Sequence, residues 1–148
     1  MKLPKQPPAL NPRRGEIWRV DFEPTVGSEM SSDKGGRGDT RPALVLSLPQ
    51  IGERTVRLCA PITDYLPARD ARRIWRVAIG DNETSGLSKM SCADVSQTRV
   101  LDIARFERRD GRAHPAEVEA SARTLALIVG VTLTDSSDAA IEPPEIQD

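Results

Sequence analysis

The stretch Gly15-Glu16-Ile17-Trp18-Arg19-Val20-Asp21-Phe22-Glu23-Pro24-Thr25-Val26-Gly27-Ser28-Glu29 decides the fold, together with Arg41-Pro42-Ala43-Leu44-Val45-Leu46-Ser47 and Cys59-Ala60-Pro61-Ile62-Thr63. In Glu16–Phe22, Trp18, Val20 and Phe22 point one way and Ile17, Arg19 and Asp21 the other, which predicts a strand with one strongly apolar face. Pro24 and Gly27 end it. Pro42–Leu48 is a nearly continuous apolar run, as in a strand buried on both faces. Thr55–Thr63 alternates again, with Val56, Leu58, Ala60 and Ile62 toward a core and Thr55, Arg57, Cys59 and Thr63 opposite. Pro61 predicts an edge position or a bulge there. Each run is bordered by a polar residue able to do chemistry: Glu29, Arg41 and Thr63.

Outward from this stretch, Ser28–Thr40 reads as a polar loop. Its Gly35, Gly36 and Gly38 suit either a phosphate cradle or a plain surface loop, and the Gly-Lys-Ser/Thr ending of a P-loop is missing. Asp64–Arg72 reads as a second loop beside the arginines Arg69, Arg72 and Arg73. Ile74–Ile79 reads as a strand with Trp75, Val77 and Ile79 on one face. Lys89–Leu101 holds one bent strand or two short ones, and Asp102 caps a single helical turn over Asp102–Arg105. Pro115–Val129 is a helix: Pro115 suits the first position, Glu117 and Glu119 the first turns, and Val118, Ala122, Leu125 and Val129 form an apolar stripe. Gly130 stops it. Five or six strands and one C-terminal helix predict a mainly β fold, a small bent sheet or partly open barrel. Such a barrel is too small to enclose a ligand, so a site belongs on its rim.

The length of 148 residues predicts one domain. Residues 1–12 read as a disordered Pro-rich lead-in, 13–133 as the folded body and 134–148 as an acidic disordered tail. The formal net charge of −1 argues against a general polyanion binder. Setting aside the two lysines of the lead-in and the five acids of the tail leaves 19 basic and 17 acidic residues, so the body itself is mildly basic and compatible with a nucleic-acid ligand. Cys59 and Cys92 lie in apolar, strand-like surroundings and read as buried reduced thiols. Two cysteines and one histidine make no metal-ligand set, so neither metal nor other cofactor is expected. The N-terminus lacks an apolar signal-peptide core and no run is long enough to span a membrane, so the expected location is the cytoplasm.

In this order, Gly15–Trp18, Val20–Glu29, Arg41–Ser47, Pro61–Thr63 and Val95-Ser96-Gln97-Thr98-Arg99-Val100-Leu101-Asp102 resemble the MazF/PemK toxins of bacterial toxin–antitoxin pairs, as does the helix ending Leu125–Gly130. The resemblance covers about residues 13–133. It implies an SH3-like barrel, a homodimer, and a metal-independent, sequence-specific endoribonuclease acting on single-stranded RNA. It also implies a cognate antitoxin whose acidic segment occupies the RNA groove. Carried over residue by residue, Arg41 and Thr63 are the catalytic pair and Glu29 a supporting acid. The loop between Glu29 and Arg41 is longer than the family's usual one, and Ser96 stands where many members carry an acid. Asp94 is too far along the strand to be assumed a substitute.

Metal-free RNA cleavage needs the ribose 2′-OH aligned on phosphorus, a proton removed and charge stabilised. Arg41 suits the charge, since its planar fork donates two hydrogen bonds to phosphate. Thr63 is a hydroxyl donor and Glu29 the carboxylate base. Ser28, Gln97, Arg69 and Arg72 are the expected RNA contacts. Arg69–Arg76 and Arg105–Arg112 read either as backbone guides or as charged surface. Trp18 and Trp75 read as core in preference to base-stacking platforms, and His114 falls outside every motif. The alternative function is a non-catalytic toxin or binding module on the same barrel, like the gyrase-inhibiting toxins.

Overall fold

A computed structural model describes residues 10–32, 39–51 and 55–133. Residues 33–38 of the Gly-rich loop and the acidic tail lie outside the described residues, as does the lead-in before Leu10. The elements are β1 (Glu16–Val20), β2 (Arg41–Val45), β3 (Val56–Asp64), α1 (Pro67–Asp70), β4 (Arg76–Ile79), β5 (Ser91–Asp94), β6 (Arg99–Asp102), β7 (Phe106–Arg112) and α2 (Pro115–Ile128). The described strands form one antiparallel sheet in the order β4-β5-β3-β2-β1-β7, with β6 beside β3.

β3 organises this sheet. Its first half pairs β6 from Val56↔Asp102 to Cys59↔Arg99, and its second half pairs β5 from Ile62↔Ala93 to Asp64↔Ser91. Pro61 is therefore not on an edge strand. With Ala60 it falls in the gap where β3 leaves β6 and takes up β5, so its missing N–H interrupts no ladder on that side. A 3₁₀ turn, Val95–Gln97, carries the chain across the same gap between β5 and β6.

Through the central strands both sheet faces are buried, because the two sets of alternating side chains enter different clusters. Trp18, Val20, Phe22, Val45, Cys59, Leu101 and Phe106 fill one cluster, where the Trp18 and Phe106 rings meet edge-on at 5.8 Å. Ile17, Leu44, Ala60, Ile62, Ile79 and Val118 fill the other, under α2. The ends of the strand path are joined by the turn after β4: the Arg112 N–H donates to the Thr84 C=O at 2.8 Å. That approach needs glycine. A Cβ on Gly111 would lie 2.2 Å from the Thr84 oxygen, and one on Gly86 2.1 Å from the Asp110 oxygen. The result is a bent, nearly closed sheet with a C-terminal helix.

Several expectations change. β7 was hidden among charges because Phe106 is its one buried residue, and an edge strand that faces water is kept from pairing with other chains by such charges. α1 lies in the segment read as loop. Trp18 is buried as expected, but Trp75 is 37% exposed and precedes β4, beside Ile74 at 75%. Asn11 and Pro12 were assigned to the lead-in, yet Pro12 is fully buried. Its C=O accepts from Arg57 Nε at 2.8 Å, and Asn11 Oδ1 accepts from the same guanidinium at 3.0 Å. His114 caps α2: its Nδ1 accepts the Ala116 N–H at 3.0 Å while Glu117 accepts the His114 N–H at 2.8 Å. The apolar stripe of α2 is covered only at its start. Val118 is buried and Leu125 half-buried, whereas Val129 is 69% exposed, with Leu127, Ile128 and Val131 exposed beside it.

Candidate active site

Arg41 opens β2 opposite Val20, and Thr63 pairs Cys92 near the end of β3. The β2–β3 register, Ala43↔Pro61, continued by one pleat sets Arg41 beside Thr63. Both line one open cleft of about 410 Å³ with Arg19, Asp64, Leu87, Lys89 and Ser91. Arg41 is anchored on two sides: Nη1 donates to the Ile62 C=O at 3.2 Å and Nε to the Ser31 C=O. The loop after β1 therefore rests on the Arg41 guanidinium.

Sequence reasoning missed two cations of this cleft. Arg19 lies on the polar face of β1 and is held by Asp110 of β7 at 3.2 Å. Its alternation away from Trp18 was a legible signal, but the strand that carries Asp110 was not. Lys89 is an ordinary loop lysine by sequence; in the fold it pairs Asp64 at 2.9 Å. Together with Arg41 they give the cleft an excess of positive charge, suited to a phosphate backbone.

Glu29 sits elsewhere. It lines an adjoining hollow of about 290 Å³ with Phe22, Met30, Pro61, Ser96, Gln97 and Arg99, and its carboxylate accepts the Val26 N–H at 2.6 Å. Ser28 is exposed at the same rim, and its C=O accepts from Gln97 Nε2 at 3.2 Å. Pro61 on one side and Ile62-Thr63 on the other make β3 the ridge between the two hollows.

Arg69 and Arg72 line neither hollow. Arg69 donates to Asp70 at 2.9 Å and to the Asp64 C=O at 3.0 Å, and Arg72 is exposed. Asp70 is 1% exposed and is the centre of this arginine group, with Arg76 at 3.2 Å and Arg73 at 3.7 Å. The Arg69 hydrogen bonds hold the Asp70 carboxyl well below the usual carboxylate range; burial opposes this, and the Leu66 N–H and Arg76 reinforce it. Ser96 brings no acid of its own, but its hydroxyl donates to Asp94 at 2.5 Å. Asp94 is buried and caps the 3₁₀ turn. Burial pushes the Cys59 thiol up to about 12 and the Cys92 thiol up to about 11, so both stay protonated at neutral pH. Among the described residues no three His, Cys, Asp or Glu side chains gather, and no helix is long and apolar enough to cross a membrane.

Fold and cleft together define a small antiparallel sheet domain with a cationic site at its strand ends. A family model described as the PemK-like, MazF-like toxin of type II toxin–antitoxin systems matches residues 13–129, and the chain belongs to that family. It is 29% identical over 108 residues to endoribonuclease MazF9 of Mycobacterium tuberculosis, covering 72% of this chain and 86% of that protein. Among solved structures, MazF from Deinococcus radiodurans superposes with a TM-score of 0.64 at 18% identity, over 82% of this chain and 99% of that one. An endoribonuclease in complex with its cognate antitoxin from a mycobacterial species superposes at 0.59 and 16%, over 83% and 99%. At these identities the structural likeness speaks to the fold.

Proposed function

We propose that this chain is the toxin of a toxin–antitoxin pair and cuts single-stranded RNA without a metal. The observation that carries the reading is the sharing of one cationic cleft by Arg41 and Thr63 at neighbouring strand ends. The scissile phosphate lies in that cleft. The 2′-oxygen attacks phosphorus, the bond to the 5′-oxygen breaks, and the departing 5′-oxygen takes a proton from water in the open cleft, so the products are a 2′,3′-cyclic phosphate and a 5′-hydroxyl. Arg41 stabilises the charge that builds on the phosphate oxygens, and Thr63 donates its hydroxyl to the same group. Glu29 takes the 2′-OH proton once the bound RNA backbone crosses β3 and brings that hydroxyl within hydrogen-bond reach of its carboxylate in the adjoining hollow. Family membership and the name of the mycobacterial relative support an endoribonuclease.

The same cleft suits the acidic segment of a cognate antitoxin, which would compete with RNA for Arg19, Arg41 and Lys89. The uncovered end of the α2 stripe supports a homodimer. A cytoplasmic location follows from an RNA substrate. The decisive experiment incubates the purified protein with a long RNA in EDTA and maps the cut ends. Discrete cuts with 5′-hydroxyl ends are expected; intact RNA, or cutting that needs magnesium, would defeat the mechanism. One observation favours the non-catalytic reading: Glu29 lines a different hollow from Arg41 and its carboxylate is engaged by a backbone N–H. Intact RNA would move that reading ahead.

A further inference from the structure

We propose that Gln97 is a positioning residue for Glu29, gripping the loop backbone on both sides of it. Gln97 Oε1 accepts the Met30 N–H at 3.1 Å, and Gln97 Nε2 donates to the Ser28 C=O at 3.2 Å. Ser28 and Met30 are the immediate neighbours of Glu29, so one side-chain amide supplies the donor and acceptor that a neighbouring strand would otherwise present. These two bonds fix the orientation of the amide and use one of its donors and one of its acceptor lone pairs, a role distinct from the RNA contact expected of Gln97.

The grip is itself held from beneath. Gln97 ends the 3₁₀ turn whose cap, Asp94, accepts the Ser96 N–H at 3.1 Å and the Ser96 hydroxyl at 2.5 Å. Arg76 joins Asp94 to the buried Asp70, at 3.2 Å from each. The Thr98 hydroxyl closes the turn on the Val95 C=O at 2.6 Å. The base of a long, flexible side chain is thus fixed on packed structure, and the loop hangs from its tip. Displacing a reacting group by about 1 Å costs up to about a hundredfold in rate, so a residue that only places Glu29 still controls the rate.

The catalytic half of this inference rests on the proposed role of Glu29; the grip does not. Amide hydrogen exchange of RNA-free protein tests the grip directly. In Gln97→Ala the Met30 amide should exchange about tenfold faster than in the parent, in a protein of unchanged fold. Gln97→Glu keeps the acceptor and loses the donor, and should fall between. Unchanged Met30 exchange in Gln97→Ala would overturn the grip. Cleavage kinetics test the positioning. Gln97→Ala should lower kcat by up to about a hundredfold with KM little changed, and add nothing further in a Glu29→Gln background. A loss that multiplies with Glu29→Gln, or that falls on KM, would make Gln97 a direct RNA contact instead. A normal kcat would remove it from the reaction. If the parent does not cut RNA, the nuclease reading fails while the exchange experiment still decides the grip.

Discussion

Replacing Arg41 with Ala removes a guanidinium with two separable duties. In the resting protein it ties the Ser31 and Ile62 carbonyls together, and so fastens the loop to β3. Both carbonyls lie near an open cleft where water can replace the lost donor, so truncation should cost about 1–2 kcal/mol, a fall in Tm of roughly 3–8 °C. In the proposed reaction the same group faces the phosphate. Losing one such contact costs about a hundred- to thousandfold in rate, and the fork supplies two, so the variant should fall at least a thousandfold. Arg41→Lys keeps the charge without the fork and should still lose about a hundredfold. Single-turnover cleavage of a long RNA by excess protein in EDTA, with a thermal melt on the same preparation, measures both effects. A folded Arg41→Ala protein that cuts within about threefold of the parent would refute the reasoning.

Leu127, Ile128, Val129 and Val131 are exposed beyond the covered part of α2, which leads us to expect a homodimer; sedimentation of the parent as a monomer at micromolar concentration would refute this, and Leu127→Glu should weaken the assembly. Deleting residues 1–9 should leave the melting temperature unchanged. Deleting through Pro12 takes two acceptors from Arg57, itself 3% exposed, and should lower stability by about 2 kcal/mol in a denaturant titration. The Asp70 carboxyl is held below its ordinary range, so its stabilising effect is complete above about pH 4 and is lost as the pH falls through its native value. Asp70→Asn should therefore melt below the parent at neutral pH, and the gap should narrow in melts below about pH 4.

Much of this was written locally. Alternation in Glu16–Phe22 set Trp18, Val20 and Phe22 on one face and Ile17 on the other, because a strand turns successive side chains to opposite faces whatever surrounds it; that Ile17 also enters a core cluster was decided by the fold. The start of α2 and the Asp102-capped turn were readable for the same reason, since caps act over a few residues. Arg41 and Thr63 stood out as polar residues bordering strand-like runs, and the order of motifs from Gly15 to Thr63 carried the family that assigns them a catalytic role.

Tertiary structure decided the rest, wherever an outcome depended on partners distant in sequence. Charge hid β7, since its pairing with β1 comes from the partner's ladder and not from its own pattern. Trp75 has the composition of a core residue, but it precedes β4 and is 37% exposed. Only the partner exchange on β3 explains why Pro61 is tolerated in the middle of a sheet. Arg19 joined the cleft because Asp110, far along the chain, holds it there. Glu29 was separated from Arg41 by the β3 ridge, although both had read as neighbours in function. Gln97 reaches its two loop partners across 67 and 69 residues of chain. Local pattern was enough for β1, β2, β3, α2 and the candidate chemistry, because propensity and spacing act within a few residues. Which candidates meet was decided by sheet register and loop docking, which exist only once the chain has folded.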